Sequence, residues 1–124
     1  MRTFRGLDNP SEARVVSAGR TIFRAGDRPD FLYTVLEGEV EISVDGQVVE
    51  VVPAGGLFGE MAVIEDHVRA ATAVAKTDVR LDAIDQPRFM ELIRESPAFA
   101  LRVMRVLSDR VRRMDERLTQ KPRS

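Results

Sequence analysis

Between residues 18 and 56 turn signals recur at short, regular intervals: Ala18-Gly19, Ala25-Gly26-Asp27, Glu37-Gly38, Asp45-Gly46 and Pro53-Ala54-Gly55-Gly56. The runs between them are short and rich in β-branched and aromatic residues. That punctuation restricts the first two-thirds of the chain to an all-β sandwich or barrel. The clearest strand covers 39–44, where Val40, Ile42 and Val44 alternate with Glu39, Glu41 and Ser43. Asp45-Gly46 then supplies the two positive-φ positions of a tight hairpin turn, and 47–52 returns. Further strands are predicted at 20–24, 31–36, 69–76 and 79–85. In the last, Val79, Leu81 and Ala83 face one way and Arg80 and Asp82 the other.

After Gln86-Pro87 the period changes. Pro87 can open a helix at its first turn, with Phe89, Leu92 and Ile93 at helical spacing. Ser96-Pro97 punctuates again as N-cap and first residue. From there Phe99, Val103, Val106, Leu107, Val111, Met114 and Leu118 form one stripe of a long amphipathic helix whose apolar face needs a partner. Neither a repeat nor a linker divides the chain. The expected plan is a single domain over 1–124, with a β-rich body over about 14–85 and two helices over about 87–118.

Composition narrows the chemistry. The 124 residues include no Cys and one His. Disulfides, thiol nucleophiles and zinc–thiolate sites are excluded, which fits a cytoplasmic location. One imidazole also makes multi-His metal sites and His-assisted serine chemistry hard to build. No apolar run approaches the roughly 18 residues that would cross a bilayer. From Arg102 onward eight basic residues stand against three acidic ones, a net +5, which leaves −6 for the rest. Asp109, Asp115 and Glu116 interrupt the basic helix, so it reads as a solvated face and no nucleic-acid partner is expected.

The informative stretch runs Gly55-Gly56-Leu57-Phe58-Gly59-Glu60-Met61-Ala62-Val63-Ile64, then Glu65-Asp66-His67-Val68, then Arg69-Ala70-Ala71-Thr72. Glycines end a strand, a helical turn begins at Glu60, and a polar loop leads into a strand that starts with Arg. Gly59 leaves room for close approach to the backbone, and the first amides of a short helix favour negative charge. Arg69 adds a planar, permanently charged fork for phosphate oxygens. Glu60 suits a hydroxyl donor such as a ribose 2′-OH. An anion site beside an acidic hydroxyl acceptor describes a sugar phosphate. His67 reads as a solvated loop residue, and Met61, Val63 and Ile64 as core beneath the segment.

On these residues the chain resembles the cyclic nucleotide-binding domain family. Phe58-Gly59-Glu60-Met61-Ala62-Val63-Ile64 followed by Arg69-Ala70-Ala71-Thr72 is similar to that family's phosphate-binding cassette. Ile22-Phe23-Arg24-Ala25-Gly26-Asp27 and Leu32-Tyr33-Thr34-Val35-Leu36-Glu37-Gly38-Glu39-Val40 are similar to its first strands and glycine turn. The resemblance runs from about 18 to 118. It implies a mainly β fold with C-terminal helices: an eight-stranded jelly-roll β-roll, a short cassette helix and two C-terminal helices. Sensor domains of this kind occur in catabolite-activator-like regulators, protein kinase A regulatory subunits and cyclic nucleotide-gated channels.

Carried over by residue, the resemblance makes Arg69 the partner of the cyclic phosphate and Glu60 the acceptor of the ribose hydroxyl. Gly59, Ala62 and Ala70 fall where backbone amides approach the ribose phosphate, within a binding segment of Phe58, Gly59, Glu60, Met61, Ala62, Arg69, Ala70, Ala71 and Thr72. Val68 departs from the family pattern, which often has proline before the arginine. Ala70 stands where members favouring cyclic GMP often carry Thr or Ser, so cyclic AMP is the favoured ligand and cyclic GMP the alternative. Thr72 should share Arg69's face. In this family the last helix often closes over the base, and Arg110, Arg113 and Met114 are the candidate lid residues.

The function this implies is a regulatory ligand-binding module without catalytic residues or metal. Its C-terminal helices pass the binding signal to an effector protein or to a second copy of the chain. A DNA-binding output would call for roughly 60–80 further residues, an ordinary small-domain length. The alternatives are a nucleotide-free interaction module of the same fold and an enzyme on a cupin-like barrel, which the single His disfavours. On this reading Arg69→Ala abolishes nucleotide binding and leaves the fold nearly intact.

Overall fold

A computed structural model describes residues 13–119. Eight strands come first: β1 (Arg14–Val16), β2 (Thr21–Phe23), β3 (Leu32–Glu37), β4 (Val40–Val44), β5 (Gln47–Val52), β6 (Leu57–Phe58), β7 (Thr72–Ala75) and β8 (Val79–Ile84). A short helix α1 (Glu60–Glu65) interrupts them between β6 and β7, and α2 (Gln86–Glu95) and α3 (Pro97–Thr119) follow. The strands form two four-stranded antiparallel sheets, ordered β1-β8-β3-β6 and β2-β7-β4-β5. This is the jelly-roll arrangement the resemblance implies.

The β4–β5 hairpin forms as its sequence dictates. Asp45 and Gly46 take φ values of 52° and 81°, the left-handed pair that a two-residue turn between twisted strands requires. Between the two sheets lies a first core of Phe23, Tyr33, Val35, Val40, Val52, Phe58, Ala73, Val79 and Leu81. Phe23, Tyr33 and Phe58 pack ring against ring, with Tyr33 and Phe58 stacked at 5.2 Å between centroids. Each fully buried Val, Leu or Phe among these contributes roughly 1.5–3 kcal/mol.

A second core covers the other face of the β1-β8-β3-β6 sheet. Leu32, Leu57 and Ile84 from the strands meet Val63 of α1, Phe89 and Leu92 of α2, and Phe99 and Val103 of α3. Both faces of β8 are therefore covered: Asp82, on the face opposite Val79 and Leu81, is 3% exposed and pairs across the sheet with buried Thr34. Each of the two helices starts at a capping residue. Asp85 accepts from the Arg88 amide at 3.0 Å, and the Ser96 hydroxyl accepts from the Phe99 amide at 3.2 Å.

The stripe of α3 that packs on the sheet differs from the apolar one read from sequence. Phe99 and Val103 are buried, with Val106 and Leu107 partly buried beside them, but Val111 is 61% exposed. One turn beyond Val106 the inward position belongs to Arg110, half-buried against the cavity described below. Leu118 and Met114 have side chains outside the described residues. Among the described residues no helix is long and apolar enough to cross a membrane.

Candidate functional site

Beside α1, the β-roll opens into a cavity of about 460 Å³. Phe58, Gly59, Glu60, Met61 and Ala62 line it together with Arg69, Ala70 and Ala71. Ile42, Val44 and Val49 of the hairpin form an apolar wall, and Glu50 and Arg110 complete the lining. The cassette residues read from sequence thus converge on one hollow, with the exception of Thr72. Its hydroxyl turns aside to accept from the Ala25 amide at 3.0 Å. Residues 69–71 also stay out of the β7 ladder. The Arg69 amide donates to Asp27 O at 2.8 Å, and Arg69 O accepts from the Gly26 amide at 2.8 Å, so the Gly26 turn fixes this backbone.

Arg69 is 4% exposed, which is rare for a cation. Its Nη1 donates to Gly59 O at 2.9 Å, its Nη2 donates to Phe31 O, and its Cζ sits 3.9 Å from the centroid of the Phe23 ring. The Nε is buried without a hydrogen-bond partner. Burial lowers the Arg69 pKa, partly offset by Tyr33, Asp30, Asp27 and Glu60. The guanidinium therefore has a structural part in holding this loop. The expectation that Arg69→Ala leaves the fold nearly intact is corrected here, because that change strands two carbonyl acceptors and empties the space over Phe23.

Gly59 explains how a bulky cation reaches the loop. It caps α1 in the left-handed region, at φ 82°, and a Cβ there would stand 2.9 Å from Arg69 Nη1. The room that glycine leaves is taken by Arg69. Within α1 only one apolar side chain is buried: Val63 packs into the second core, whereas Met61 and Ile64 are 50% and 44% exposed. Their expected core role is corrected accordingly. A six-residue helix on a rim presents one stripe inward, and Glu60 shares it with Val63. His67 is exposed at the cavity edge, as the sequence reading has it.

Glu60 is fully buried. Its Oε2 accepts from Arg110 Nη1, while its Oε1 has no hydrogen-bond partner. Burial raises the Glu60 pKa; the charge of Arg110 opposes this and that of Glu50 adds to it. Arg110 also grips Glu50, through Nε to Oε1 at 2.9 Å and Nη2 to Oε2 at 3.2 Å, and donates from Nη2 to Leu57 O at 3.1 Å. Burial lowers the Arg110 pKa, but the Glu50 hydrogen bonds and both carboxylate charges outweigh it and the net shift is upward. Of the three candidate lid residues, Arg110 stands in the cavity wall. Arg113 is half exposed, its Nη1 3.6 Å from Glu50 Oε2, and the Met114 side chain lies outside the described residues.

Glu50, Ile42, Val44 and Val49 were not singled out from sequence. For Glu50 a signal exists, since it is the single charge in the run Val48-Val49-Glu50-Val51-Val52.

The geometry is that of a buried guanidinium and a buried carboxylate lining one hollow with apolar side chains, on a jelly roll. Comparison with known proteins agrees with it. The family model described as cyclic nucleotide-binding domain matches residues 13–96. This chain belongs to the cyclic nucleotide-binding domain family and is a regulatory domain of that kind. A cAMP-dependent protein kinase regulatory subunit of Eremothecium gossypii is 39% identical over 85 residues, covering 68% of this chain and 19% of the relative. The catabolite activator protein of Thermus thermophilus superposes with a TM-score of 0.76 at 31% identity, covering 94% of this chain and 58% of that one. The EAL enzyme Bd1971 matches at 28% identity in both a cAMP-bound form (TM-score 0.63, 87% of this chain, 30% of that one) and a cGMP-bound form (0.65, 85% and 29%). The chain thus spans less than two-thirds of the length of these relatives.

Proposed function

We propose that the cavity binds cyclic AMP in preference to cyclic GMP, and that binding is passed on through α3 without chemical change to the ligand. In this reading Arg69 pairs with the cyclic phosphate, and the backbone of Gly59, Ala62 and Ala70 lies along the ribose phosphate. Glu60 accepts from the ribose 2′-OH, and the base rests on the wall of Ile42, Val44 and Val49. The observation that carries it is the pair of unused groups in one hollow: Arg69 Nε and Glu60 Oε1 are both buried without partners. Buried polar atoms in native proteins are nearly always paired, so an absent partner fits a ligand.

Three features favour adenine. Ala70 offers no hydroxyl to a guanine amino group, the Thr72 hydroxyl is already engaged with Ala25, and both Glu50 oxygens accept from Arg110. Transmission rests on Arg110, which joins α3 to Glu60 across 50 residues of sequence. A ligand that engages Glu60 changes the balance of that joint, and so favours one placement of α3 over another only by its differential contact there. Leu101, Met104 and Val111, exposed on the outer side of α3, form the seat for an effector or a second copy.

Isothermal titration with cyclic AMP, cyclic GMP and 5′-AMP tests this. Cyclic AMP is expected to bind most tightly and 5′-AMP weakly or not at all. Equal affinity for the two cyclic nucleotides removes the base preference, and equal affinity for 5′-AMP removes the phosphate assignment.

A further inference from the structure

One guanidinium serves two carboxylates in the cavity wall, and it serves them unequally. Arg110 presents its Nε and Nη2 edge to both oxygens of Glu50 and only Nη1 to Glu60. A guanidinium facing a carboxylate favours the two-pronged pairing, and Glu50 has it. Glu60, the more deeply buried of the two, accepts through Oε2 alone and keeps Oε1 without a partner. Leaving a buried acceptor unpaired costs free energy, so the arrangement persists only while something holds Arg110 away from it. Leu57 O contributes one bond to that hold, and Glu50 contributes two. Arg113 Nη1 pairs with Glu50 by charge at 3.6 Å, beyond hydrogen-bond length, so the hydrogen bonds of Glu50 stay with Arg110.

We infer that Glu50 is a positioning residue for ligand selection: by taking the fork of Arg110 it keeps Glu60 Oε1 free to accept a sugar hydroxyl. The inference rests on the cyclic nucleotide reading and deepens it, because it names the ligand class selected, a ribose over a 2′-deoxyribose cyclic nucleotide. Without Glu50 the Arg110 fork turns to both oxygens of Glu60, and the hydroxyl acceptor is filled from within the protein. Arg69 donates to Gly59 O and Phe31 O and not to Glu50, so the phosphate contacts assigned to it are left in place.

Calorimetric titration of cyclic AMP and 2′-deoxy cyclic AMP into the wild type, Glu50→Gln and Glu60→Gln tests this. The wild type is expected to prefer the ribose ligand by about tenfold or more, the effect of one hydrogen bond to a charged group. Glu50→Gln brings that preference to within about threefold of unity and leaves affinity for the 2′-deoxy ligand within about threefold of wild type, below half a decade of binding free energy. A Glu50→Gln protein that keeps the wild-type preference overturns the inference. So does equal loss of affinity for both ligands, which is what a merely structural role produces. Failure of the parent reading looks different, since the wild type then binds neither ligand or matches Glu60→Gln in showing no ribose preference, and both readings fall together. Should Glu50→Gln lack a cooperative melt, Glu50→Met, which suits the surrounding valines, is read with the same expectations.

Discussion

Gly59→Ala is the smallest change that strikes the site at its root, and the local geometry sets its effect. The backbone there has φ 82°, a conformation that costs an alanine about 1–2 kcal/mol. The added methyl would stand 2.9 Å from Arg69 Nη1 and 3.4 Å from the Phe23 ring. A flexible arginine tip would ordinarily step aside at little cost. This one is buried, bonded to Gly59 O and Phe31 O, and seated on Phe23, so retreat breaks a contact of a charged donor. Such a bond contributes about 1.5–3 kcal/mol, and partial relaxation brings the combined loss to about 2–4 kcal/mol. For a domain of this size that lowers the melting temperature by on the order of 10 °C. Cyclic AMP affinity falls as well, because the guanidinium no longer stands where the phosphate needs it. Thermal unfolding by circular dichroism, paired with a calorimetric titration, reads both. A Gly59→Ala protein that melts within about 2 °C of wild type and binds equally well would rule this out, since even the backbone cost alone exceeds that.

Further outcomes follow from the buried acid and the second core. Burial raises the Glu60 pKa, so the folded state holds that proton more tightly than the unfolded chain. Its contribution to the stability of the free domain is full below the ordinary glutamate value and is lost as pH rises through the folded value. Affinity for cyclic AMP moves oppositely, falling as pH drops through the same folded value because the protonated acid is the weaker acceptor; titrations at successively lower pH should show this in the wild type and not in Glu60→Gln. Phe99 packs edge-on against Phe89 at 6.0 Å in the core that seats α3. Phe99→Ala should cost about 3–5 kcal/mol, read as a lower denaturant midpoint.

Local rules made much of this legible. Asp45-Gly46 fixed the hairpin because a two-residue turn admits few residue pairs, and Pro87, Ser96 and Pro97 marked both helix starts through chemistry confined to a few neighbours. The cassette was readable for the same reason, its spacing being contiguous. What escaped depends on distant partners. β1 and β6, of three and two residues, have no periodicity to read and exist through pairing with β8 and β3. The burial of Asp82 is hidden in an alternation that gives no sign of helices on the second face of the sheet. The inward turn of Arg110 and the exposure of Val111 depend on helix phase, which two carboxylates far back in the chain help to set. The structural part of Arg69 depends on Phe31 O and Phe23, neither of which its neighbours announce.

On the proposed reading Arg69 holds the phosphate of a cyclic nucleotide in this cavity. Thermal unfolding of nucleotide-free wild type and Arg69→Gln, each with and without cyclic AMP, tests it most directly. At about 100 times its dissociation constant the ligand adds roughly 2.7 kcal/mol, so the wild type should gain several degrees. Arg69→Gln should start lower and gain nothing. An unmoved wild type, or an equal gain in the variant, would contradict the account.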